Sequence, residues 1–550
     1  MKKIILTLGV ITTFSYANYY YDYVMCRYLS DKPKEAELFC LQAVEEKPTP
    51  SLYMDTIRLE MSLKNTDKAL ELAKEYKKRY PNNVEPYIAL YSIYKLQGEK
   101  VKALEILEKA RKKFPDNREI LIFLADEYIK AKKMKEAKEV LHRFAELNPD
   151  NPFPYYLLGQ LYLSEGKVDT AVEYFQKALD IKKTFEAAFV TLGKIYEQSE
   201  KFSEAEKLYK SILKEDPDNR SALEKLAQLY MATGRFQEAK ELYEKLSEID
   251  PTNYQYKHQL AITLLQSGEF ERAKKILSEL YSHHPEDLNV AYSYALSMEL
   301  TGEAEKAVDV YEKLYKLVPN NQRIIERLAN VYLNLKRYRE AEKLIEEGLK
   351  QNPANVKLLM LKANLYMEKK EYEEAVKVLD QAIAILPKEY RAYFLKAIAM
   401  DYLGKIIEAE DNLRKAIELN PEDPDLYNHL GYSLLLWYGT TRIEEAQALI
   451  ERALKAEPEN PAYIDSMGWV YYLKGDYEKA IQYLLDALSK AYDDPVVNEH
   501  VGDVLLKMGY REPALEYYKS ALKLLEAGKE GEKGQRERLI EKLKKLGVSF

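Results

Sequence analysis

The chain has 550 residues, of which 31% are charged and 47% apolar, with 20 glycines and 21 prolines. That is more chain than one compact core organises and too apolar for disorder, so several domains or a helical repeat array are expected. A formal net charge of -7 removes the usual electrostatic reason for binding nucleic acid or an anionic membrane surface.

Residues 1–17, "MKKIILTLGVITTFSYA", read as a signal peptide. Lys2 and Lys3 make a basic start, residues 4–14 an apolar run, and Ser15-Tyr16-Ala17 a small-x-small cleavage site. This reading places the mature protein in the periplasm, beginning at Asn18. The alternative is a cytoplasmic protein with an apolar first helix. The run is too short to span a bilayer, no later segment is apolar enough to do so, and without a lipobox cysteine no lipid anchor is expected. Cys26 and Cys40 both fall in the first helical pair. Two readings of them stand: a disulfide across antiparallel helices, worth roughly 3 kcal/mol by chain entropy, or two small apolar packing residues.

From residue 18 to 526 the chain repeats a two-helix phrase. Its clearest mark is an alanine in each second helix: Ala36, Ala69, Ala103, Ala137, Ala171, Ala205, Ala239, Ala273, Ala307, Ala341, Ala375, Ala409, Ala446, Ala480 and Ala514. The first step is 33 residues, the next ten are 34, one is 37 and the last two are 34. Each first helix carries a small residue, such as Gly159, Gly193, Ala295 or Gly431, expected to face that alanine and let the helices approach closely. Tyrosines one turn further on, such as Tyr162, Tyr230 and Tyr332, are expected to fill the seam. Glycines including Gly166, Gly302 and Gly475 end first helices. Prolines followed by Asp or Asn start the next turn.

A 34-residue two-helix unit with these marks resembles the tetratricopeptide repeat. The resemblance implies an all-α fold, a right-handed α-solenoid of about fifteen tandem helix pairs whose first helices line a concave groove. The domains expected are residues 1–17 as signal peptide, 18–526 as the superhelix, and 527–550 as a polar linker, "AGKEGEKGQ", followed by a C-terminal capping helix.

No catalytic constellation is found. The six histidines open no HExxH motif, there is no phosphate-binding loop, and there is no paired-cysteine metal spacing. No enzyme activity, cofactor or metal is therefore expected, and function should lie in the groove. If the family geometry holds, the residue after each small one points into the concavity, a row that includes Asn330 and Asn364. These resemble the asparagine ladder with which some such superhelices grip a peptide main chain, since an amide donates and accepts at once. The alternative is that they are solvated polar residues. Farther along, Phe394, Ile398, Tyr402, Tyr432, Leu435, Leu436, Trp469 and Tyr472 fall on expected groove positions, with Trp437 close by. They read either as aromatic anchors for a partner or as residues packing adjacent helices.

The closing repeats, with "LYNHLGYSLL", "DSMGWVYY" (residues 465–472) and "EHVGDVL" (499–505), look like those of bacterial periplasmic tetratricopeptide adaptors. One such family is an outer-membrane lipoprotein that serves a carboxyl-terminal-processing protease. The resemblance implies a protein-binding adaptor of the cell envelope, with that protease and its substrates as partners. This chain departs from it in lacking a lipobox. The alternative is a scaffold in envelope polysaccharide or cell-wall assembly.

Overall fold

The computed structural model describes residues 19–532 and 534–548, so the expected signal peptide lies outside the described residues. Among the described residues the regular structure is helical throughout, with no strand. The helices are numbered α1 (19–28) to α31 (Gln535–Lys545) in chain order. The chain divides into two units, Met1–Ser267 and Gly268–Phe550. Each is a tandem stack of antiparallel helix pairs, the architecture of an α-solenoid.

Local signals explain where the helices begin and end. Asn321 caps α19 (Gln322–Asn334), its side chain accepting from Arg323 N at 3.1 Å. Asn117, Asn219 and Asn355 do the same in other copies. Each such cap is worth about 1 kcal/mol. First helices end on a left-handed residue, Gly302 with φ 79° in one copy and Lys336 and Lys370 with φ 57° and 62° in the next two. Glycine takes that conformation without steric cost, so the two lysines hold it under some strain.

The seam between paired helices is where the repeated alanine sits. All fifteen are buried, fourteen at 0% exposure and Ala103 at 2%. The small residue of the first helix does more than face that alanine. It makes room for a large side chain one turn after it. A Cβ on Gly193 would meet the Tyr209 hydroxyl at 2.0 Å, one on Gly159 the Phe175 ring at 2.7 Å, and one on Gly502 the Tyr518 ring at 2.6 Å. At Gly431 and Gly468 the facing side chains are Ile450 and Leu484. The tyrosines of the first helices bridge backwards instead. Tyr332 donates to Glu312 of α18 (Ala304–Leu317) at 2.8 Å, with the Arg337 guanidinium over its ring.

In the first unit, Cys26 and Cys40 are joined by a disulfide that ties α1 to α2 (Pro33–Glu46). In the second, the lengthened turn of the 37-residue step contains a short 3-10 turn, Gly439–Arg442, after α25 (Pro424–Tyr438). Arg442 anchors it by pairing with Glu410 and Glu445. At the C-terminal end, Leu539 and Leu543 of α31 are buried against Ala514, Tyr518 and Leu522 of α30 (Arg511–Glu526).

Candidate partner-binding groove

First helices of the second unit supply the walls of a concavity of about 900 Å³. They are α17 (Leu288–Leu300), α19, α21 (Val356–Glu368), α23 (Tyr390–Tyr402), α25 and α27 (Pro461–Lys474). Asn330 and Asn364 both line it, one repeat apart, and so does Phe394. Asn428, which the sequence reading passed over, lies on the same floor, and its Oδ1 is buried without a hydrogen-bond partner. A buried orphan acceptor costs about 1–3 kcal/mol, so it is a natural place for an incoming N–H.

The floor is polar but ordered. Arg327 Nε donates to Glu299 at 2.9 Å. Burial raises the Glu299 carboxyl pKa, and Arg327 opposes that without cancelling it. His429 meets the edge of Phe394 with ring centroids 5.0 Å apart. Burial holds its imidazole below the usual pKa, although Asp401 and Asp425 pull the other way, so it is neutral at pH 7. Amides, an imidazole and a phenyl ring make a surface suited to binding.

The other expected groove residues are placed differently. Leu435 is 3% exposed and belongs to the core, because it stands one turn after Gly431 and shares its seam-facing side. Tyr402 stacks on Tyr372 of the preceding second helix, α22 (Tyr372–Ile385), with centroids 4.7 Å apart. Ile398 is half-buried on α23. Trp437 donates to Asp401 at 2.6 Å. Leu436 remains exposed.

Tyr432, Trp469 and Tyr472 do converge, around a buried histidine. Trp469 stacks between Tyr472, at 4.5 Å, and His500 of α29 (Pro495–Lys507), at 4.1 Å. His500 Nδ1 bonds the Asp465 carboxylate at 2.9 Å, and its Nε2 lies 3.3 Å from the Tyr432 hydroxyl. The chain's own C-terminal segment covers this cluster. Tyr432 donates to the carboxylate of Glu532. Arg538 binds Glu499 at 2.8 Å and Glu532 at 2.7 Å, while Lys542 binds Glu499 and Asp503. Gln535 donates to the Pro495 carbonyl at 2.9 Å. The Glu499 side chain, 1% exposed, is thereby neutralised.

A buried His–Asp pair facing a hydroxyl has the outline of a base and its orienting group. Here the phenol O–H already donates its hydrogen bond to Glu532. Burial, with Glu532 and Asp465 adding to it, pushes the Tyr432 pKa well above 10. The cluster holds the C-terminal segment in place. Among the described residues no group of three His, Cys, Asp or Glu side chains is arranged to hold a metal, and no helix is long and apolar enough to cross a membrane.

Comparison with known protein families agrees with this architecture. Family profiles for the tetratricopeptide repeat match residues 94–161, 162–229, 198–258, 230–296, 300–365 and 343–400, with two further profiles of that description at 438–495 and 390–423. A tetratricopeptide-repeat-containing protein of Pseudomonas aeruginosa is 40% identical over 98 residues, 18% of this chain and 16% of that one. Another from Methanocaldococcus jannaschii is 31% identical over 110 residues, 20% of this chain and 19% of its own length. The chain thus matches less than a fifth of the length of either relative. Among solved structures, a chain of the APC/C hetero-tetramer Cut9–Hcn1 overlays with a TM-score of 0.42 at 17% identity, over 90% of this chain and 96% of that one. A tetratricopeptide repeat protein from Parabacteroides merdae gives 0.39 at 18% identity, over 45% and 98%.

The histidine cluster makes a pH prediction. Burial lowers the His500 pKa, but Asp465 on its Nδ1 overrides this, with Glu532 and Asp503 adding, so the net shift is upward from 6.5. A pKa raised on folding stabilises fully below the unfolded value and loses that contribution as pH rises through the folded value. Imidazolium against an indole face quenches its fluorescence, so Trp469 emission should climb with a midpoint above 6.5. The step should vanish in His500→Gln. A midpoint at or below that value, or a step that survives the substitution, contradicts the assignment.

Proposed function

Because the chain belongs to the tetratricopeptide-repeat family, we propose that it is a non-enzymatic scaffold whose concavity holds an extended segment of a partner protein. The observation that carries this is the pair of amides, Asn330 and Asn364, set one repeat apart on a floor shared with Asn428 and Phe394. An extended main chain presents alternating N–H and C=O groups, and an amide side chain satisfies both whatever the partner's sequence. Phe394 offers an apolar face at small entropy cost.

The setting we propose is the bacterial periplasm, with the chain acting as an adaptor that presents substrates to a carboxyl-terminal-processing protease. The phrases at 465–472 and 499–505 support the adaptor reading. The basic start and apolar run of residues 1–17, together with the Cys26–Cys40 disulfide, support export to an oxidising compartment. Amino-terminal sequencing of the protein from its native host should begin at Asn18. Finding Met1 on the mature protein contradicts export.

The binding claim is tested with an array of peptides covering envelope proteins. The double substitution Asn330→Ala, Asn364→Ala should leave melting unchanged and weaken the peptides that bind by about thirtyfold, the sum of two hydrogen bonds at about 1 kcal/mol each. Unchanged binding moves the site elsewhere.

A further inference from the structure

The C-terminal end of the concavity is shut by contacts that differ in kind from those of the seams. Helix α31 runs alongside α29 in the same direction. Gln535 meets Pro495, Arg538 meets Glu499, and Lys542 meets Glu499 and Asp503. Glu499 and Asp503 stand four residues apart, and so do Arg538 and Lys542. Each of these cations is followed by a leucine, Leu539 or Leu543, buried against α30. The docking pattern is thus two cation–leucine pairs one helical turn apart, set against two carboxylates of the same spacing. The linker adds a Lys529–Asp493 ion pair and the hydrogen bond from Tyr432 to Glu532.

Two observations indicate that this closure opens. The first is a loose fit. Recesses of about 240 and 250 Å³ remain beneath the segment, and Tyr432 and Glu532 line both. Close-packed interiors leave few voids larger than a water molecule. The second is that much of what holds α31 is charge. Arg538 and Lys542 keep 40% and 25% of their side chains exposed, so salt weakens their pairs. An eleven-residue helix is marginal by itself. Its release is therefore a local opening, well below the cost of global unfolding.

The place of the closure gives it a consequence. Asn428 and Ala462 line both the open concavity and one of the recesses. Release of the segment joins the recesses to the concavity and adds Tyr432, Trp469, Glu499 and Asp503 to its wall.

We propose that Glu532 and α31 form an autoinhibitory strap, displaced by a basic amphipathic helix of a partner that carries the same cation–leucine pairs. The Glu499 side chain, 1% exposed, sets the partner's charge. A helix without cations would leave that carboxylate buried and unpaired, which is strongly unfavourable. The closure is independent of what the open stretch between α19 and α25 binds.

The test uses the full chain and a fluorescein-labelled synthetic peptide of residues 527–550. Leu539→Ser, Leu543→Ser in the chain should free the strap. The peptide should then bind that variant at least tenfold more tightly than the native chain, whose site is filled, and added salt should weaken it. A peptide carrying Arg538→Glu and Lys542→Glu should not bind. If the leucine variant aggregates or loses helix, the chain variant Arg538→Glu, Lys542→Glu takes its place, with the same expectation. Hydrogen exchange on the native chain gives a second readout: α31 should exchange at least tenfold faster than α29. Equal binding to native and freed chains overturns the inference. So does failure of the peptide to bind a folded, freed chain, binding of the charge-reversed peptide, or exchange in α31 as slow as in α29.

Discussion

Everything in this structure depends on how closely two helices approach at one seam. A second helix with alanine at a fixed place can lie near its partner, and the large residue one turn later then fills the space left by a glycine or alanine opposite. At Gly159, Gly193 and Gly502 the facing ring stands where a Cβ would lie, so at those pairs one more carbon would force it to shift. In the second unit the fit recurs along the stack, so the first helices α17 to α27 present the same side to the concavity. The groove is therefore a consequence of the packing rule, and its chemistry can vary from copy to copy without disturbing the fold.

That separation lets one surface do two things. Between α19 and α25 the floor is open and lined by amides, a neutral imidazole and a phenyl ring, with cations at the rim. Between α25 and α29 the same face is closed by the chain's own linker and α31, through Glu532 and the cations Arg538 and Lys542. Aromatic residues are plentiful in the closed part, but their partners are internal: Trp469 has His500 and Tyr472, and Tyr432 has Glu532. Aromatic content alone therefore does not locate the open binding surface. Exposure and unmet hydrogen-bonding capacity locate it better, as at Asn428.

Much of this is legible in the sequence, and the exceptions have physical causes. The helix pairs are readable because alanine, the small residue, the left-handed terminus and the capping asparagine repeat together, so each copy corrects the others. The filling residue one turn after the alanine is legible too, since Phe175, Tyr209 and Tyr518 stand in register, but its identity varies from copy to copy while the alanine does not. Leu435 stands one turn after Gly431 and shares its seam-facing side, so it joins the core where a groove position is expected from the sequence. Nothing local predicts that Glu532 meets Tyr432, since 100 residues separate them and the polar linker has no periodicity to follow.

The central claim is that each pair is held locally by its own seam, so that stability is a sum of near-neighbour contributions. Hydrogen exchange measured by mass spectrometry on Ala307→Leu tests this most directly. Overpacking one seam costs about 1–3 kcal/mol, which should speed exchange roughly ten- to a hundredfold in α17, α18 and α19. Helices α27 to α30 and the whole first unit should keep their protection. Uniform loss across the chain, or no loss at the substituted pair, would contradict the account.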